Sequence, residues 1–177
     1  MAQSIKKSEL KNCIRDIPNF PKEGIIFKDI TTLLKNKVAF KKSIDLLVKR
    51  FKNENIKYVV CVESRGFIFG APLAYKLGAG FIPVRKKGKL PFRTRSVTYD
   101  LEYGTDVLEI HEDAIEPNSR VLIVDDLLAT GGTIKAVCEL LRSQKAVIAG
   151  VAFLVELKFL KGINKLKDLD VYSLIKY

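Results

Sequence analysis

The sequence predicts an α/β protein with a mainly parallel twisted sheet flanked by helices. Three observations carry that prediction. Mainly apolar runs at 58–62, 81–84, 121–124 and, longer, 146–157 suit strands buried in a parallel sheet. Helically spaced apolar residues fill several of the intervals, so strand and helix alternate. Two strands run into short loops ahead of a helix, where open α/β sheets bind ligands. The 177 residues suit one domain with a real core.

Taken in order, Ser4 to Ile17 places Leu10, Cys13, Ile14 and Ile17 on one helical face, and Pro18 and Pro21 end it. Ile25-Ile26-Phe27 reads as a short core strand or as part of a binding segment. Lys37 to Phe51 carries Ile44, Leu47, Val48 and Phe51 on one stripe, a surface helix with its lysines in water. Tyr58 to Val62 is a buried strand; it ends in Glu63-Ser64-Arg65-Gly66-Phe67 and a helix through Leu77. Phe81 to Val84 is the next strand, followed by the basic cluster Arg85-Lys86-Lys87-Gly88-Lys89. Phe92 to Gly104 reads as a loop or short hairpin, with Thr105 to His111 as the return strand. Val121 to Val124 is a strand, and Ile134, Val137, Cys138 and Leu141 mark the helix beyond it. Ala146 to Leu157 is a core strand, Lys158 to Lys165 a short helix and Tyr172 to Ile175 a final strand.

Composition narrows the function classes. The net charge is +11, but lysine far exceeds arginine and is spread along the chain. A solvated basic surface that draws anionic substrates into a cleft accounts for it, and no nucleic-acid partner is needed. No run is long and apolar enough for a membrane, and Met1 to Lys11 lacks the apolar core of a signal peptide. Cys13, Cys61 and Cys138 share no metal or disulfide spacing and read as reduced thiols in a cytoplasm. His111 is the only histidine, which removes most Ser-His and His-metal schemes.

The chemistry concentrates at Asp125-Asp126-Leu127-Leu128-Ala129-Thr130-Gly131-Gly132-Thr133. Gly131 and Gly132 let backbone approach a ligand, and Thr130 and Thr133 add hydroxyl donors. Unpaired N–H groups of the helix start make Ala129 to Thr133 a candidate phosphate cradle. Asp125 and Asp126, at the strand end before it, can accept hydrogen bonds from sugar hydroxyls and help hold Mg²⁺ through them. Together these features describe a phosphorylated ribose. A Walker loop needs a lysine before Thr133, and a Rossmann fingerprint needs differently spaced glycines. Arg65 and the cluster Arg85, Lys86 and Lys89 lie at two further strand ends, where they read as anion clamps or as ordinary surface charge.

On these residues the chain resembles the type I phosphoribosyltransferases, and Leu127-Leu128-Ala129-Thr130-Gly131-Gly132-Thr133 is similar to the wording of the adenine-using members. The likeness runs from about Pro18 to the C-terminus. It implies transfer of the phosphoribosyl group of 5-phosphoribosyl 1-pyrophosphate (PRPP) onto adenine, giving AMP and pyrophosphate in purine salvage. Another purine base, or a PRPP-sensing regulator, are the alternatives. It implies that residues 1–34 contribute a hood over the base, where Ile26 and Lys28 read its edge and Phe27 stacks on it. Arginine often stands where this chain has Lys28. Leu128 and Leu157, in Val155-Glu156-Leu157, would pack on the purine. Ser64 and Arg65, with Arg85, Lys86 and Lys89, would bind pyrophosphate, with a cis peptide between Ser64 and Arg65. Residues 92–104 would close over the reaction, with Glu102 accepting the N9 proton of adenine and Tyr103 lining the closed site. Mg²⁺ would ride on substrate oxygens, and the chain would form a homodimer.

Overall fold

The computed structural model describes residues 5–100 and 104–177, with Asp100 by its backbone alone. The chain divides into two compact units, Met1–Leu47 and Val48–Tyr177.

In the first unit a 3-10 helix, Lys7–Cys13, leads into a two-stranded antiparallel sheet of β1 (Arg15–Pro18) and β2 (Ile26–Asp29). Next come the single-turn helix α1 (Thr31–Lys35) and α2 (Lys37–Phe51), which runs into the second unit. The helix expected over 4–17 is therefore corrected: helical structure stops at Cys13. Long-range pairing overrides the local period. Arg15 meets Asp29 across the ladder with an ion pair of 2.5 Å, and Asp16 meets Lys28 at 2.6 Å. Thr32 Oγ1 donates to the Cys13 carbonyl at 2.7 Å and ties α1 to the 3-10 helix. Asp29 accepts from the Thr31 hydroxyl at 2.7 Å, the Thr31 N–H at 2.9 Å and Arg15. These bonds, Thr31 first, hold its carboxyl down to about 2.

The second unit is built on a seven-stranded sheet. Its strands are β3 (Tyr58–Val62), β4 (Gly80–Lys86), β5 (Thr94–Asp100), β6 (Thr105–His111), β7 (Arg120–Leu128), β8 (Val147–Glu156) and β9 (Val171–Lys176). Their spatial order is β5-β6-β4-β3-β7-β8-β9. From β4 to β9 all neighbours are parallel, and β5–β6 is an antiparallel hairpin added at the β4 edge. Residues 92–104 thus hold a full strand of that hairpin. Helix α3 (Arg65–Leu77) packs on β3 and β7, and α4 (Gly132–Ser143) on β5 and β8. Val121 to Val124 are fully buried, as a two-sided strand requires. Val60, Ile123, Phe153, Val137 and Leu141 centre the core on the α4 face. On the other face, a Cβ at Gly70 would fall 1.8 Å from Cys61 Sγ, so α3 meets β3 with no room for a side chain. Burial pushes the Cys61 thiol well up, and the Cys138 thiol up to about 11.

Two further expectations shift. β7 continues to Leu128, so Asp125 and Asp126 lie within a strand. The 158–165 segment is two 3-10 turns, Lys158–Leu160 and Gly162–Leu166, joined at Lys161 in the left-handed region with φ 53°.

Candidate active site

The site begins where neighbouring strands end at different heights. β3 stays paired to β7 only as far as Cys61 opposite Val124, while β8 follows β7 to Glu156 opposite Leu128. Beyond Val124, β7 has no ladder partner on its β3 side, and Asp125 and Asp126 follow there. The Asp126 N–H donates to Asp125 Oδ1 at 2.8 Å. Asp126 is buried, and its Oδ2 lies 2.9 Å from Arg65 Nε. Burial raises the pKa of both carboxyls; the adjacent Asp126 charge pushes Asp125 further up, and Arg65 pulls Asp126 back. A Cβ at Gly66 would lie 3.0 Å from Asp125 Oδ1 and from the Val124 carbonyl, so the first turn of α3 presses directly on this pair.

The glycine loop follows. Gly131 adopts φ 78° and caps α4, which starts at Gly132. Ala129, Thr130, Gly131, Gly132 and Thr133 enclose a concavity of about 70 Å³ against Leu127 and Leu128. Its donors are N–H groups of a helix start, the arrangement that holds a phosphate.

A second cleft, of about 330 Å³, brings together Glu63, Ser64, Arg65, Lys86, Asp125 and Asp126, with Tyr99 and Thr133 at its side. Its cations are each paired. Arg85 Nε lies 2.7 Å from Glu63 Oε2 and its Nη1 donates to the Lys89 carbonyl at 3.2 Å. Lys86 Nζ lies 3.0 Å from Asp106 Oδ2, which raises the lysine and lowers the aspartate. Tyr99 shares a side-chain hydrogen bond with Thr133, while burial raises its phenol. The cis peptide is between Glu63 and Ser64, one bond earlier than expected. Ser64 caps α3 and Arg65 begins it, so the bond joining them belongs to a helical turn built on trans peptides.

Asp125, Asp126, Ser64, Arg65, Lys86 and the 129–133 loop are thus brought together. Arg85 stands behind them on Glu63, and Lys89 offers its carbonyl to Arg85. Leu128 is buried, and its carbonyl accepts from the Leu157 N–H at 2.9 Å, which holds Leu157 beside it. In the first unit Ile26 is exposed, Phe27 packs edge-on to Phe20 at 5.2 Å, and the Lys28 ammonium is engaged by Asp16. Glu102 and Tyr103 lie outside the described residues. His111 packs edge-on to Phe92, and its carbonyl accepts from Gln144. Sequence reasoning missed Glu63 and Asp106 as anchors for the cations. It also missed Tyr99, although Val97 and Tyr99 alternate as one face of a strand would.

A family model described as "Phosphoribosyl transferase domain" matches residues 29–173. An adenine phosphoribosyltransferase of Acidobacterium capsulatum is 58% identical over 174 residues, covering 98% of this chain and 96% of that protein. One from Clostridium tetani is 58% identical over 169 residues, covering 96% and 98%. Among solved structures, the adenine phosphoribosyltransferase of Thermoanaerobacter pseudethanolicus superposes with a TM-score of 0.93 at 54% identity, covering 97% of this chain and all of that one. The Saccharomyces cerevisiae enzyme, complexed with an imino-altritol bisphosphate and adenine, gives 0.89 at 45% identity, covering 95% and 97%. With its acid pair and glycine loop set at the open end of a parallel sheet, the chain belongs to the phosphoribosyl transferase family and, within it, to the adenine phosphoribosyltransferases.

Proposed function

We propose that this protein converts adenine and PRPP to AMP and pyrophosphate. The observation that carries the reading is the junction of an acid pair, a glycine-built phosphate cradle and a guanidinium at one strand end. Ala129 to Thr133 take the 5′-phosphate. Asp125 and Asp126 take the ribose diol and steady positive charge growing on the sugar. Ser64, Arg65, Arg85, Lys86 and Lys89 receive the leaving pyrophosphate. Adenine N9 attacks C1′ as the bond to the pyrophosphate oxygen breaks, its electron pair leaving with pyrophosphate, and C1′ inverts. Glu102 accepts the N9 proton, with Tyr103 beside it. Ile26, Phe27, the backbone of Lys28, Leu128 and Leu157 recognise the base, with residues 1–34 serving as a hood within one functional domain.

Magnesium belongs to the same reading. Asp125 and Asp126 are hard oxygen donors, yet Asp126 already faces Arg65. That donor set fits an ion carried on PRPP oxygens and steadied through the diol. Bound there, Mg²⁺ would neutralise charge on the departing pyrophosphate. We read the enzyme as a cytoplasmic homodimer. Among the described residues no helix is long and apolar enough to cross a membrane.

The test is purified protein with PRPP and Mg²⁺, offered adenine, hypoxanthine, guanine and xanthine in turn. AMP formation is expected to dominate by orders of magnitude. Comparable turnover of an oxopurine would reassign the substrate, and no turnover of any base would return the chain to a PRPP-binding role.

A further inference from the structure

We infer that Gly162, outside the phosphate motif and 29 residues beyond its last residue, Thr133, is a positioning residue that shapes the 5′-phosphate cradle; the inference rests on the reading of 129–133 as that cradle. Two backbones meet there with no side chain between them. A Cβ at Gly162 would fall 2.2 Å from the Ala129 carbonyl oxygen and 3.0 Å from the Gly131 nitrogen. The contact is reciprocal, since a Cβ at Gly131 would fall 2.6 Å from the Gly162 carbonyl oxygen. Because the obstructing atoms are backbone on both sides, no rotamer change relieves a methyl group. The loop and the turn must part.

The turn is held from both directions. Upstream, the Leu157 N–H donates to the Leu128 carbonyl at 2.9 Å, so the segment that ends at Gly162 starts bonded to the residue before the cradle. Lys161 reaches Gly162 through a left-handed conformation, φ 53°. Downstream, Leu166 is buried in the same core cluster as Val137 and Leu141 of α4. The second 3-10 turn is therefore fixed to the helix whose N-terminus the cradle forms. Gly162 touches the Ala129 and Gly131 backbone itself, so its Cα sets where two of the cradle's peptide units sit.

The 5′-phosphate relies on several N–H groups aimed together, and a misplacement of about 1 Å can cost ~100-fold in a positioned site. Pyrophosphate, bound by side chains on the other wall, does not depend on the turn. The experiment is calorimetric binding of ribose 5-phosphate and of Mg²⁺-pyrophosphate to the wild-type protein and to Gly162→Ala, with steady-state kinetics alongside. Gly162→Ala should weaken ribose 5-phosphate by about tenfold or more and raise the KM for PRPP. Pyrophosphate affinity should stay within about twofold, and the KM for adenine should change little. Equal ribose 5-phosphate affinity in the two proteins overturns the inference, and so does an equal loss for both ligands. A wild-type protein that binds pyrophosphate and no ribose 5-phosphate overturns the cradle reading itself. Should Gly162→Ala fail to fold, Lys161→Val disturbs the same turn through its left-handed φ while adding no atom at the contact. It should weaken ribose 5-phosphate alone, by about threefold, and unchanged affinity there overturns the inference.

Discussion

The glycine loop at 129–133 and the charged wall from Glu63 to Lys86 are both proposed to bind anions, and they are made of different things. The loop presents neutral backbone N–H groups whose positions follow from the Gly131 φ of 78° and the contact with Gly162. The wall presents cations that rest on carboxylates: Arg65 on Asp126, Arg85 on Glu63 and Lys86 on Asp106. A ligand entering the loop finds its donors set and unpaired. A ligand reaching the wall must take each cation from an existing partner. The loop should therefore be steep in shape and flat in salt, and the wall the reverse.

The largest break is expected at the residue common to both. Asp126 stands on the strand that feeds the loop and pairs with Arg65 of the wall. Asp126→Asn should lower kcat by about 100-fold or more, in the range for removing one preorganised electrostatic partner. Thermal melting should show a far smaller loss, because the Arg65 side chain is two-fifths exposed and its charge keeps contact with water. Next comes Gly131→Ala, which adds a methyl 2.6 Å from the Gly162 carbonyl at a left-handed position. It should raise the KM for PRPP by about tenfold while leaving pyrophosphate inhibition almost unchanged. Arg85→Gln should do the opposite. Pyrophosphate should weaken by about fivefold, with a reduced dependence on added NaCl, and ribose 5-phosphate affinity should hold. Identical salt slopes for the two ligands in the wild-type protein would erase the distinction.

The smallest effect separates carboxylates that stabilise from carboxylates that wait. Asp29 has its folded pKa lowered to about 2 from a usual 3.8, so its stabilisation is complete above the usual value and is lost as pH falls through about 2. Asp125 and Asp126 have raised folded pKa values, so the sign reverses: their contribution is most favourable when protonated and declines as pH rises through the raised values. Denaturant titrations from pH 2 to 4 should show Asp29→Asn losing its deficit against the wild type as the pH drops. A deficit constant over that window would remove Asp29 as the source.

How much of this was legible in the residues depends on range. β3, at Tyr58–Val62, and the end of α3 at Leu77 could be read residue by residue, because an apolar run and Gly78 mark their limits locally. The closeness of Asp125 and Asp126 to the 129–133 loop was legible because these residues are contiguous in the chain. The first segment was misread because Leu10, Ile14 and Ile17 fit a helical period, while the residue that makes Arg15 a strand is Asp29, reached only by folding. The β3–β7 pairing limit, the carboxylate anchors of the wall and the Gly131–Gly162 approach have no local pattern at all. Each is a meeting of distant chain segments that neither segment announces.

One consequence follows from the unequal reach of β3 and β8 alongside β7. The opening beside Asp125 is a gap in main-chain pairing, so its existence depends on where a strand stops. Two residues added after Val62 that prolonged the ladder would roof the carboxylates while every functional side chain remained in the chain. In this chain, the exposure of the acid pair is written in strand length as well as in side chains.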